Sequence, residues 1–456
     1  MKNFSKQILR ITVAVSAVVA CASTLWAANP LVFPGSESAQ VAVLITDVSS
    51  HKVIDSHDEF IALVPASTAK CITSATALRA MGADSVPFVT EAAMFGHVDA
   101  DGCLHGLLRV EASADPTLGS CHFSDGSLVS GIVSALKDRG ITSIDGKLEV
   151  QSPSGYYGVG LSWEVEDIGE DYGAGLYGFN WRDNIFSFAP HDGLCETMQG
   201  DVYCHIVPDA SSNCVVRGVD SPTVTVYRKQ GSKIPSRITT TMWNPAECFI
   251  SELADSLSAA GIELRYAESS EYGDRSVLVR HVSPSCAEIL RSLMRRSDNL
   301  FAEGMLRATL PVGCSLDSAL SVQKRIWMRD AGFGKYSALY DGSGLSRKNR
   351  ITPRDMTNIL SAMLRYPEAN DYVGLFPVCG KEGTVARLLR GTRLQGKVRL
   401  KSGSMGGVLC YAGYVLDKGG RQPKYTISIM VNGFTCPVSD VRKSIERYLL
   451  KIIPAV

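Results

Sequence analysis

A serine and a lysine stand three residues apart in the stretch Val64-Pro65-Ala66-Ser67-Thr68-Ala69-Lys70. Pro65 favours a helix start, because the N–H that proline lacks would have no partner there. Apolar residues then recur at helical spacing until Gly82, which predicts the end of the helix. Residues three apart on a helix lie on the same side. Lys70 is therefore expected beside the Ser67 hydroxyl, where it could take the proton of a serine nucleophile.

Two further motifs follow in order along the chain. Ser297-Asp298-Asn299 is the only S-D-N, and Lys401-Ser402-Gly403 is the only K-[ST]-G. The S-x-x-K pattern by itself is weak, since it also occurs at residues 49–52, 134–137 and 321–324. The ordered triplet, however, is the signature of penicillin-binding proteins and serine β-lactamases. It predicts an enzyme that forms an acyl-serine intermediate.

The sequence gives little support for other classes of hydrolase. The chain has no G-x-S-x-G elbow and no H-E-x-x-H zinc pair, and its 8 histidines are scattered. No C-x-x-C pair is present, and the resemblance to penicillin-binding proteins implies a reaction that needs no metal and no organic cofactor. Lysine plus arginine and aspartate plus glutamate number 46 each, which gives no indication of a nucleic-acid partner.

Residues 1–28 have the pattern of an export signal. A basic start is followed by an apolar core at residues 11–20 and by small residues near Ala27. The core is too short to span a bilayer, so a periplasmic enzyme is expected. An alternative is a membrane tether through a lipid on Cys21, because the residues before it resemble a lipoprotein cleavage box.

The chain contains 13 cysteines. All but Cys21 lie outside the predicted export signal, and the even number that is left favours disulfides in an exported protein. We expect a mixture: Cys71, Cys286 and Cys410 fall in apolar-periodic stretches as free thiols, whereas Cys103–Cys121 and a pair within the set Cys195, Cys204 and Cys214 are the expected bridges.

The remaining pattern predicts an α+β fold for a chain of 456 residues, long enough for two or three domains. Residues 40–48 and 52–55 read as a hairpin, and strands are expected at 398–403, 408–416 and 425–431. Helices are expected after Ser283-Pro284, with the serine as cap, and over 441–452. The antiparallel sheet and helices would form a catalytic domain from residues 29–88 and 278–456. Residues 89–277 read as a mostly β insertion.

With these features in place, the chain resembles the class C low-molecular-mass penicillin-binding proteins, serine D-Ala-D-Ala carboxypeptidases and endopeptidases of the bacterial periplasm. The resemblance covers residue 40 to the end. It rests on Pro65-Ala66-Ser67-Thr68 with Lys70, Ser297-Asp298-Asn299-Leu300 with Ala302-Glu303, Asp341-Gly342-Ser343-Gly344-Leu345-Ser346, Asn349-Arg350-Ile351-Thr352-Pro353 and Lys401-Ser402-Gly403-Ser404-Met405. In that family the insertion holds two extra domains, so the resemblance implies two subdomains here. Ser402 stands where the family usually has threonine, and it keeps the hydroxyl.

The resemblance implies a role for each motif residue. Ser67 would attack the penultimate D-Ala carbonyl of a peptidoglycan stem peptide, with Lys70 as base. Ser297 would relay the proton to the leaving amine, and Asn299 would hold the substrate amide. Lys401 would supply positive potential.

The resemblance also implies a binding site for the substrate termini. Hydroxyls of Ser402 and Ser404 would bind the terminal carboxylate, and the backbone N–H groups of Ser67 and Ser404 would form the oxyanion hole. Asp167 and Met405 match the positions that would contact the long stem-peptide residue. β-Lactams would acylate the same serine.

Two other functions share these motifs. A β-lactamase would turn penicillin over rapidly, whereas a catalytically silent wall-binding protein would not react with it at all. Carboxypeptidase and endopeptidase activities remain equally open, because both cleave after the same D-residue.

Overall fold

The computed structural model describes residues 29–123, 127–197, 200–219, 221–265 and 273–454. The predicted export signal and Cys21 lie outside these residues. The strands are β1 (Gln40–Asp47), β2 (Val53–His57), β3 (Val89–Val98), β4 (Cys103–Glu111), β5 (Ser143–Gln151), β6 (Tyr157–Gly158), β7 (Leu176–Tyr177), β8 (Ile185–Phe188), β9 (Gly193–Thr197), β10 (Gly200–Ala210), β11 (Cys214–Arg217), β12 (Thr223–Lys229), β13 (Ile238–Thr241), β14 (Glu263–Arg265), β15 (Arg275–Val282), β16 (Val398–Met405), β17 (Val408–Leu416) and β18 (Pro423–Asn432).

Half of the α-helices lie in one run between β15 and β16, and the others are spread along the rest of the chain. The helices are α1 (Lys70–Met81), α2 (Ser127–Asp138), α3 (Val165–Ile168), α4 (Pro245–Ala259), α5 (Cys286–Arg296), α6 (Asn299–Arg307), α7 (Leu316–Ala331), α8 (Pro353–Met363), α9 (Ala369–Leu375) and α10 (Val438–Ile452). None of those within the described ranges is both long and apolar enough to cross a membrane.

The catalytic motifs lie around one antiparallel sheet of strand order β16-β17-β18-β1-β2. Alternate side chains of its strands enter two cores, as the two-residue period of a strand requires. Tyr414 packs with Ile72 of α1 and Phe301 of α6, whereas Leu400 packs on the other face with Ile445 of α10. The sheet is therefore buried on both faces between helices, and the predicted α+β class is confirmed.

A second set of sheets lies between α1 and α5 in the sequence. One has the strand order β14-β5-β4-β3-β15 and another β11-β12-β10-β9, with the pair β13-β8 beside them. They share a separate core in which Leu104, Trp181 and Phe249 are buried. The β-rich character predicted for the insertion is thus confirmed, while its limits at residues 89 and 277 stay a prediction.

The predicted start of α5 is wrong by two residues. Ser285, not Ser283, caps the helix: its backbone is extended, and its hydroxyl accepts from the Glu288 N–H. The Glu288 carboxylate accepts in return from the Ser285 N–H at 2.9 Å. This capping box satisfies two free N–H groups, whereas Pro284 lies outside the helix.

The predicted disulfides are also wrong. Every cysteine in the described part of the chain is a free thiol. Cys103 is buried at the start of β4, whereas Cys121 is exposed in a turn next to Asp183. Cys195, Cys204 and Cys214 are likewise unpaired.

Candidate active site

The serine of the first motif lies in a short 3₁₀ turn, Ala66–Ala69, directly before α1. Ala66 has a left-handed backbone with φ 47°. The Lys70 ammonium nitrogen Nζ lies 2.9 Å from Ser67 Oγ. The turn thus presents a half-exposed hydroxyl to a fully buried amine.

Lys70 makes two further hydrogen bonds. Its Nζ donates to Asn299 Oδ1 at 2.5 Å and to the Ser343 carbonyl at 2.6 Å. Burial lowers the pKa of Lys70 to about 8, against the opposing pull of nearby carboxylates, chiefly Asp341. About a tenth of Lys70 is therefore neutral at pH 7, and the neutral amine can accept the serine proton.

The second motif connects α5 to α6, and only Ser297 and Asp298 lie between the two helices. Ser297 ends α5 in the left-handed conformation, with φ 68°. Asp298 begins α6, where its carboxylate accepts from the Phe301 N–H at 2.8 Å. Asn299 contacts both the Ser67 region and the predicted insertion. Its Oδ1 accepts from Lys70 Nζ, and its amide nitrogen donates to the Tyr172 carbonyl at 2.7 Å.

The third motif lies on β16 at the edge of the catalytic sheet. Lys401 is fully buried, and its Nζ donates to Ser297 Oγ at 2.8 Å and to the Ser402 carbonyl at 2.6 Å. Burial, assisted by the charge of Lys70, lowers the pKa of Lys401 well below its usual value. The Ser402 hydroxyl lies 2.6 Å from Thr384 Oγ1.

Glycine is required where β16 passes the serine turn. A β-carbon on Gly403 would lie 2.5 Å from the Pro65 carbonyl oxygen and 2.9 Å from the Ser67 nitrogen. This close approach brings the motif strand against the nucleophile. Only a residue without a side chain fits there.

The residues predicted to bind the substrate lie around this centre. Ser404 is exposed at the end of β16, and Met405 is half-buried against the helical core. Asp167, in the short helix α3, accepts a hydrogen bond from the Tyr172 hydroxyl at 3.0 Å. Burial raises the pKa of Asp167, while the positive charge of Arg347 acts in the opposite direction.

Arg347 was not among the predicted site residues. Its guanidinium donates to the Gly406 carbonyl at 3.4 Å, and it is close enough to Asp167 to affect the pKa of that carboxyl. Arg347 therefore lies between Asp167 of the predicted insertion and Gly406, the residue after Met405.

Sequence reasoning also missed the acidic support beneath Lys70. Glu303 accepts from the N–H groups of Gly342 and Ser343, which fixes the carbonyl that Lys70 contacts. Burial and the charge of Asp341 raise the pKa of Glu303 to about 7. The turn sequence Asp-Gly-Ser-Gly is a usable signal for the loop, and Glu303 belongs to the stretch after the second motif that carries the family resemblance, but no role was predicted for Glu303.

Comparison with known proteins gives concordant results. Residues 31–450 match the family described as D-Ala-D-Ala carboxypeptidase 3 (S13). "D-alanyl-D-alanine carboxypeptidase DacB" of Haemophilus influenzae is 25% identical over 431 residues, covering 88% of this chain and 86% of that protein.

Solved structures show the same fold. Penicillin binding protein 4 (dacB) from Haemophilus influenzae has a TM-score of 0.76 at 22% identity, covering 92% of this chain and 97% of that one. A structure of the same protein complexed with a β-lactam has a TM-score of 0.72 at 22% identity, with the same coverage.

Proposed function

We propose that this chain, which belongs to the D-Ala-D-Ala carboxypeptidase 3 (S13) family, performs its reaction through Ser67. The chain is a serine-type D-Ala-D-Ala carboxypeptidase. The observation that supports the assignment best is the pair of buried lysines, each with Nζ within 3 Å of a motif serine hydroxyl: Lys70 with Ser67 and Lys401 with Ser297.

The acylation step would begin with neutral Lys70 taking the Ser67 proton. Ser67 Oγ attacks the penultimate D-Ala carbonyl, and the oxyanion is held by the backbone N–H groups of Ser67 and Ser404. Such a donor is worth roughly 10²–10³ in rate. Collapse breaks the amide bond, and the leaving amine receives its proton through Ser297.

The remaining motif residues would position the substrate. Asn299 binds the substrate amide, and the hydroxyls of Ser402 and Ser404 bind the terminal carboxylate in the positive potential of Lys401. Water then attacks the acyl-serine and releases the shortened peptide.

The proposal extends to the identity of the substrate and to the cellular location of the protein. We infer that the substrates are periplasmic peptidoglycan stem peptides, including D-Ala–meso-diaminopimelate cross-links, and that β-lactams acylate Ser67 as inhibitors. A relative with the same fold has been solved with a β-lactam bound. Asp167 and Met405 would contact the long amine-bearing stem residue.

The experiment is labelling with a fluorescent penicillin. Ser67→Ala should abolish the label while circular dichroism stays unchanged. Ser134→Ala and Ser321→Ala are matched controls, since both serines begin an S-x-x-K and are exposed. Loss of label in a control variant with retention in Ser67→Ala would refute the assignment. Rapid loss of label from the wild type, with hydrolysed penicillin in solution, would instead identify a β-lactamase.

A further inference from the structure

Cys121, His122 and Asp183 form a cluster of metal-ligating side chains beside the second catalytic motif. One donor atom of each lies within 4.8 Å of the other two. Cys121 Sγ and His122 Nδ1 are 3.4 Å apart. In a tetrahedral zinc site, with bonds of about 2.3 Å to sulfur and 2.0 Å to nitrogen, these atoms lie about 3.5 Å apart. The two donors are therefore already spaced for a shared cation.

The Asp183 carboxylate is held against the same turn. It accepts from the Ser120 hydroxyl and, at 3.1 Å, from the Cys121 N–H. A carboxylate has about four acceptor positions, so these two bonds leave room for a metal. A thiolate and a carboxylate together would neutralise the charge of a divalent cation. The occupied site would then carry no net positive charge that could repel the nearby Arg296 guanidinium.

The far side of the His122 ring faces a carboxylate of the catalytic motif. Nε2 lies 3.9 Å from Asp298 Oδ2, and the ring packs edge-on against Phe301. Metal-bound histidines almost always direct their second nitrogen at such a group, which fixes the ring and strengthens the ligand. Asp298 is thus placed to support His122 while it caps α6.

An adjoining cavity of about 280 Å³ is lined by His122, Asp183 and Asp298. It provides space for a water molecule as fourth ligand. A second cluster in the described residues, Asp99 with Cys103 and His105, is less suited. Both nitrogens of the His105 ring already face carboxylates, Asp99 at 2.9 Å and Asp145 at 3.3 Å.

We propose that Cys121, His122 and Asp183 bind Zn²⁺, with water as the fourth ligand and Asp298 supporting His122. Binding releases the Cys121 thiol proton to solvent. All three ligands belong to the predicted insertion, whereas Asp298 lies between Ser297 and Asn299. The cation would therefore link the insertion to the catalytic turn.

Cobalt provides a direct test that does not depend on catalysis. The full chain, kept in a non-thiol reductant, is titrated with Co²⁺. We expect a saturable thiolate-to-cobalt absorption band that Zn²⁺ abolishes by displacement. Cys121→Ser and His122→Gln should remove the band, whereas Cys214→Ser and His105→Gln should retain it. A missing band, or one that survives Cys121→Ser or disappears in His105→Gln, would overturn the proposal.

A second variant tests the supporting carboxylate. Asp298→Asn keeps an oxygen that can cap α6 but removes the charge that faces His122. Zn²⁺ affinity, measured by competition with Co²⁺, should fall about 10- to 100-fold. An unchanged affinity would contradict the role given to Asp298. Because the readout is metal binding, it is independent of whether Ser67 is the nucleophile.

Discussion

The charge of the two motif lysines is governed mainly by burial. Lys70 and Lys401 are both inaccessible to solvent, and loss of hydration is the largest influence on the pKa of each. For Lys70, the carboxylates of Asp341, Asp298 and Glu303 partly offset this effect. The result is an amine that can be neutral at moderate pH next to a serine hydroxyl.

The rate of β-lactam acylation should therefore depend on the protonation of Lys70. In the proposed mechanism the neutral amine is the base, so the rate should rise as the pH increases and level off above the pKa of about 8. Stopped-flow acylation from pH 6 to pH 10 measures this profile. Lys70→Arg should be inactive throughout, because guanidinium stays protonated. A profile with no pH dependence in the wild type would rule out Lys70 as the base.

We expect Asp167 to contribute to the binding of the stem peptide but not to the reaction with β-lactams. A partly desolvated pair between its carboxylate and the substrate amine is worth about 1–3 kcal/mol. Asp167→Ala should lower kcat/KM roughly 10- to 100-fold for a stem peptide with a free amine, with little change in penicillin acylation. Glu166→Ala is the matched control, since Glu166 is the exposed neighbour in α3. Equal losses on peptide and penicillin would indicate a structural role for Asp167.

At the scale of elements, the close approach of β16 to the serine turn is the most sensitive contact. Gly403→Ala should lower the acylation rate by roughly 100-fold, since a displacement of about 1 Å at a reacting group can cost that much. Gly406→Ala is the control, because its new β-carbon would meet only the end of the Arg347 side chain, at 3.4 Å. Acylation kinetics and thermal unfolding of both variants measure the effect. Similar rates for the two would argue against a steric role for Gly403.

Elements with a strong local signal were predictable from the sequence. The apolar runs of β17 and β18 and the period of α10 identified these elements to within a few residues, because burial dictates their pattern. The start of α5 was misplaced, since Ser283 and Ser285 are both plausible caps and only the reciprocal bond to Glu288 distinguishes them.

Contacts within the site were predictable only between residues that lie close together along the chain or belong to a short motif. Lys70 lies beside Ser67 because both belong to one turn, and three motifs were enough to locate the centre. The contacts of Glu303 and of the Tyr172 carbonyl were not predictable, since these groups reach Ser343 and Asn299 from distant parts of the chain. Contacts of that kind depend on how elements pack and leave no short pattern.

At the scale of the whole molecule, the β-rich insertion contacts the catalytic part at the active site. Asn299 donates to the Tyr172 carbonyl at 2.7 Å, and Trp163 Nε1 donates to Asp341 Oδ2 at 3.0 Å. Asp341 also accepts from the backbone of its own loop, which carries the Ser343 carbonyl that Lys70 contacts. The predicted insertion thus helps to fix the position of Lys70.

Two tryptophans allow this link to be tested. Trp163 donates to Asp341 across the contact, whereas Trp181 donates to Glu252 at 2.9 Å within the insertion. Replacing either by phenylalanine removes one hydrogen bond to a carboxylate, which costs about 1–3 kcal/mol at the buried Asp341 and less at Glu252, whose side chain is 25% exposed. Both variants should therefore unfold at lower temperature. Only Trp163→Phe should also slow β-lactam acylation, because it leaves the buried Asp341 oxygen short of a donor and loosens the loop that holds Lys70. If the two variants acylate at the same rate, the insertion does not support the base through Trp163.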